Sequence, residues 1–174
     1  TAGVSTGDVV LLSSQTASNS ATISFTSGID STYGEYIFKF YNIGPATNNV
    51  SLTFQCNATD STSYDETMTT TYFDSAHTEA DSTFFGYRTD KDQAQGTAFN
   101  FITNEQGNGS DESGVAIMHL FNPASTTYVK HFYLVSNGYR HDDLTVQLHI
   151  AGYINTTTAI DDIQFKMSSG NFDG

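Results

Sequence analysis

Tryptophan is absent from this chain of 174 residues, cysteine occurs once, proline twice, and lysine plus arginine only six times against nineteen aspartates and glutamates. Each shortage removes a class of answers. A lone cysteine, Cys56, cannot close a disulfide within the chain, so no cystine framework holds the fold, and the role expected for it is that of a small residue packed in a sheet. A formal charge of −13 repels phosphate backbones and anionic bilayers, which argues against nucleic acid and membrane surfaces as partners. No apolar run approaches the roughly 18 residues that cross a bilayer, so membrane insertion is not expected. No window of a dozen residues carries the 3.6-residue period of an amphipathic helix.

What the chain has in quantity is strand-forming sequence. Residues 35–55 (EYIFKFYNIGPATNNVSLTFQ) and 115–136 (VAIMHLFNPASTTYVKHFYLVS) share one design: an alternating strand runs into Asn, turns at Pro-Ala, and leaves as another alternating strand. Pro45 and Pro123 sit at those turns, where a fixed φ and a missing N–H do no harm to a ladder. Further period-2 runs fall at residues 21–26, 67–73, 82–87, 98–102, 144–150 and 163–167. Residues 35–41 carry apolar side chains on both faces, which reads as a central strand. Asn137-Gly138 reads as a tight turn, because both residues tolerate φ > 0, and the pairs Asp142-Asp143 and Asp161-Asp162 read as turn residues. Thirteen Phe and ten Tyr supply a core. The expected fold is all-β: a single antiparallel β-sandwich of jelly-roll type over residues 21–174, preceded by an N-terminal arm or short edge strand at 1–20.

Reaction chemistry is sparse. Gly3-Val4-Ser5-Thr6-Gly7 matches a nucleophile-elbow pattern but lacks the strand before it and the helix after it that would expose the serine. His119 and His131 alternate with apolar neighbours and read as core histidines or as members of a second sheet face, whereas His149, between polar neighbours, reads as solvent-facing. His77, Glu79 and Asp81 would share one side of an extended segment; a divalent cation suits that arrangement, and so does a plain solvated loop. Oxygen-rich stretches at residues 60–66, 104–112 and 142–143 leave calcium open, but none has EF-hand spacing, and no cofactor, metal or catalytic residue is expected. Residues 103–114 (TNEQGNGSDESG) read as a long loop, with Asn104, Asn108, Asp111 and Glu112 as candidate surface-contact residues. Val9, Val10, Leu11 and Leu12 form an apolar island in a small, polar stretch and are the candidate intersubunit arm, since such a segment can add to a sheet edge. Tyr87, Tyr139 and Tyr153 offer rings on which a sugar could stack in place of Trp.

Three phrases, TYGEYIFKFYNIGPATNNVSLTFQ, LFNPASTTYVKHF and NTTTAIDDIQFKMSSGNFDG, with SSQTASNSATISFTSGIDS ahead of them, resemble a family of virion structural proteins of marine tailed bacteriophages, including phages of cyanobacteria. The resemblance runs over most of residues 11–174. Family members usually continue past the SSGN-like turn into a further short apolar strand, whereas this sequence stops at Gly174. The resemblance implies a non-enzymatic component of an extracellular particle, a tail or fibre appendage or a capsid decoration protein, with the tail slightly favoured and no catalytic residues to carry over. Its partners would be other virion proteins, copies of itself in a homotrimer, and a host-surface glycan or receptor. A lectin-like glycan-binding module is the alternative expectation; a carbohydrate-active enzyme would need two carboxylates facing each other in a cleft.

Overall fold

The computed structural model describes residues 9–173; the pattern at residues 3–7 and Gly174 lie outside them. Ten strands and no helix occur among the described residues: β1 (Ile23–Phe25), β2 (Glu35–Ile43), β3 (Leu52–Ala58), β4 (Met68–Thr78), β5 (Thr83–Tyr87), β6 (Asn100–Phe101), β7 (Gly114–Phe121), β8 (Lys130–Arg140), β9 (Leu144–Ile154) and β10 (Ile160–Met167). They form a four-stranded sheet in the order β1-β10-β3-β6 and a six-stranded sheet in the order β2-β7-β8-β9-β4-β5, with every pairing antiparallel. The two sheets pack face to face as a β-sandwich. If the β7-β8-β9 meander is counted as one strand, both orders become those of a jelly roll, so the larger sheet is a jelly-roll layer widened by a local insertion.

Alternation decides which side chains enter the core. In β7, β8 and β9 every second residue is buried, putting Ala116, Met118, Leu120, Phe132, Leu134, Val146, Leu148 and Ile150 inside. The facing layer supplies Leu52, Phe54, Cys56, Ile163, Phe165 and Met167, with Phe54 directly across the ladder from Phe165. Cys56 is fully buried, and burial pushes its thiol pKa up, the state of a packing residue rather than a nucleophile. β3 is buried on both faces, because loops roof its outer side: Gln55 Nε2 donates to the carbonyls of Glu66 at 3.0 Å and Thr97 at 3.1 Å.

Several expectations change. β2 is an edge strand that pairs only with β7, not a central one. Its Tyr36, Phe38 and Phe40 point into the sandwich, while Ile37 and Tyr41 turn outward and leave the apolar count high on both sides. The two Pro-Ala copies also differ. Pro123 lies in a true hairpin between β7 and β8, but Pro45 lies on a connection that crosses from one sheet to the other. Their shared feature is local: Asn42 and Asn122 both take left-handed φ, 50° and 44°. Asn137 and Gly138 are not a turn; they lie inside β8 opposite Val115 and Gly114. The turn falls after Arg140, where Asp143 takes φ 60° and Asn137 Nδ2 instead donates across the ladder to Thr145 Oγ1 at 2.8 Å. Asp142 and Asp143 are turn residues as expected, whereas Asp161 and Asp162 sit at a bulge in β10. Among the described residues of the N-terminal arm no strand forms before β1.

Candidate contact surface

The outward face of the six-stranded sheet is the broadest feature available for contact. Six strands spaced about 4.8 Å apart make it roughly 25 Å wide. Ladder register assigns its rows: Ile37, His119, Tyr133, Ala151 and Thr71 lie side by side, and the next row runs Lys39, Ile117, Val135, His149, Phe73 and Tyr87. Among the described residues, only one carboxylate, that of Glu35, stands on this face of the sheet's strands, although the chain carries nineteen. Val115, Ile117, Tyr133, Phe73, Phe85 and Tyr87 are all exposed.

Four of the five histidines, His77, His119, His131 and His149, stand on that same face. His119 and His131 are therefore second-face residues, not core histidines, and His149 faces solvent as expected. The His119 ring stacks on Tyr133 with centroids 4.5 Å apart and lies 6.3 Å from Phe121, while its Nδ1 meets Glu35 Oε1 at 2.6 Å. This row of parallel rings is a pre-ordered aromatic patch, which a partner can cover without first freezing it.

Five of the six lysines and arginines are spent internally, and Lys39 stands exposed on the outer face of β2. Arg88 pairs with the buried Asp74 at 3.0 Å and with Asp90 at 3.0 Å. Lys91 and Arg140 share Glu105, at 3.3 and 3.5 Å, and Arg140 also clamps Asp142 at 2.6 Å. Lys166 lies 3.9 Å over the Phe99 ring. Lys130 is fully buried, donates to the Thr156 carbonyl at 3.0 Å, and has its pKa lowered, first by burial. Burial likewise raises the pKa of Asp74, with Arg88 opposing. These cations close the fold and form no basic patch.

Surface clefts among the described residues lie at the rim. One, of about 430 Å³, is lined by His77, Glu79, Asp81, Tyr139, Leu144 and Thr145. His77 meets Asp81 at 3.2 Å there, but Glu79 turns away to accept from the Tyr139 hydroxyl at 3.2 Å, so the three do not converge. Among the described residues no three His, Cys, Asp or Glu side chains are grouped to hold a metal ion. Another, of about 750 Å³, lies between the β1–β2 loop and the β7–β8 hairpin and is walled by Tyr33, Phe121 and Tyr128, with Asn122, Ser125 and His131 adding polar atoms. Nothing in the spacing of the sequence pointed to these three rings, because two loops far apart in the chain bring them together.

The 103–114 segment is a tethered plug more than a free loop. Gln106 is fully buried, its Nε2 donating to the Ile43 carbonyl at 3.0 Å and its Oε1 accepting from Thr103 Oγ1 at 2.7 Å. Asn104 is buried as well, so outward contact from this segment falls to Asn108, Asp111 and Glu112. Glu112 in turn folds back to accept from the Gly109 N–H, and Asn108 reaches Asn48 and the Ala46 carbonyl, both at 3.3 Å. Val9, Val10, Leu11 and Leu12 are all exposed.

No family model matches the chain, and no curated protein or solved structure matches it either. The fold defines the class, a two-layer antiparallel β-sandwich with a widened jelly-roll order.

Proposed function

We propose that this chain is a non-enzymatic, multi-copy structural protein of a tailed phage virion, a tail or fibre appendage or capsid decoration, that works by contact. The observation that carries this reading is the nearly carboxylate-free aromatic and histidine face in a chain of charge −13. Where like charges repel over most of the surface, a face that carries only Glu35 and Lys39 as charged strand residues is where other virion proteins or further copies can approach closely. The phrase-level likeness to marine phage structural proteins points the same way, and jelly rolls recur in viral coats. Fold alone does not decide function, so the test is location. Antibodies raised against the purified chain should place gold at a fixed position on tailed particles in a marine virus concentrate. Labelling confined to cell debris or to the particle-free fraction contradicts the reading.

A second reading, a glycan-binding module, has its own support in the cleft of Tyr33, Phe121 and Tyr128, which pairs ring faces with amide and hydroxyl groups in the way neutral sugars are held. It predicts saturation-transfer NMR signals from neutral methyl glycosides that disappear in Tyr128→Ala. Absence of signal with the unaltered chain removes it.

A further inference from the structure

Two apolar features lie uncovered on this chain, and each is a liability by itself. The first is the arm: Val9, Val10, Leu11 and Leu12 are 75%, 56%, 80% and 50% exposed and belong to no strand. The second is β5, the last strand of the six-stranded sheet, where Phe84, Phe85 and Tyr87 are 49%, 77% and 42% exposed. Phe85 and Tyr87 stand opposite Ser75 and Phe73 on the outer face, and Phe84, with the Arg88 guanidinium 5.9 Å from its ring centre, stands on the inner one, so β5 exposes apolar rings on both sides.

Natural sheets guard a free edge with charge, proline, a bulge, shortness or a covering segment. The other edges here are guarded. β1 has three residues, and its Ser24 carbonyl accepts from Gln15 Nε2 at 2.6 Å. β6 has two residues. β2 carries Glu35 and Lys39 and breaks register between Phe40 and Ile43. β5, with sequence TFFGY and an unbroken register against β4, has none of these devices.

We propose that residues 9–12 of one copy pair as an added strand with the free edge of β5 in a second copy. An extended arm alternates Val9 and Leu11 to one side with Val10 and Leu12 to the other, so it offers apolar side chains to both exposed faces of β5 at once. Neither segment carries a charged side chain of its own, and Asp92, which accepts from the Tyr87 hydroxyl, is a carboxylate held against β5. The contact is head-to-tail: each copy gives an arm and receives one, and the series closes into a ring or runs on as a filament.

The test uses two single variants of the full chain, Leu11→Cys and Phe85→Cys. Cys56 is fully buried and does not compete. Under mild oxidation, a mixture of the two should give a disulfide-linked pair of copies roughly tenfold more abundantly than either variant alone. Deleting residues 9–12 should reduce the native mass to that of one chain and make the unfolding midpoint independent of protein concentration, with the transition still cooperative. An unaltered chain that is already a single copy at micromolar concentration, or no enrichment of the mixed pair, overturns the proposal. Its failure would leave the virion reading standing, and failure of the antibody labelling would leave this pairing standing.

Discussion

Phe165 brings rings of both layers together: its centroid lies 6.2 Å from Phe25, 5.5 Å from Phe38 and 5.0 Å from Phe40. Phe165→Ala should therefore cost about 3–5 kcal/mol, read as a lower urea midpoint with little change in slope, because three rings lose a shared contact at once. Asp142 is a surface counterpart. Two hydrogen bonds from Arg140, at 2.6 and 2.7 Å, hold its carboxyl below the usual carboxylate range. A depressed folded-state pKa stabilises above the unfolded value and loses that contribution as pH falls through the folded one. Asp142→Asn should thus lower stability by about 0.2–1 kcal/mol at neutral pH, and the difference should vanish in acid once the pH lies below the depressed folded-state pKa. Equal deficits at both pH values would show that the loss is not electrostatic. Aromatic abundance made a ring-filled core legible in the sequence. Which faces the histidines occupied was not, because alternation says only that two sets of side chains point apart, not which set meets the second sheet.

Among the elements, the connections were harder to read than the strands. Period-2 runs located nearly all ten strands, yet Asn137-Gly138, a strong local turn signal, was absorbed into β8 by ladder pairing on both sides. Strand pairing with two neighbours outweighs a dipeptide preference of this kind. The Pro-Ala phrase likewise carries a local conformation, left-handed Asn before Pro, without saying whether the chain will return beside itself or cross layers. The 103–114 plug is the clearest case: its composition reads as solvent-loving, but Gln106 supplies the hydrogen bonds that join it to the end of β2. Gln106→Ala leaves the Ile43 carbonyl and the Thr103 hydroxyl without those partners and should cost about 1–3 kcal/mol, with amide exchange in residues 103–113 accelerating before the strands are affected. Unchanged exchange there would mean that the backbone bridges from Gln106 to Val50 and to Arg140 hold the plug without the side chain.

For the molecule entire, charge and architecture act in concert. Nineteen carboxylates keep most of the surface repulsive toward like particles, five of the six cations are consumed in closing the fold, and one broad sheet face is left almost free of acid. That combination supports a part that docks by one side and stays soluble by the other. The contacts proposed for the rim cleft and the arm are separate, each open to its own test above. The claim beneath all of these is that the outward face of the β2-β7-β8-β9-β4-β5 sheet is the docking side. A density map of the particle that the antibodies label tests it most directly. The account predicts that Ile117, Tyr133 and His149 lie against a neighbouring subunit; a map in which they face open solvent while the opposite, four-stranded layer makes the contacts would contradict it.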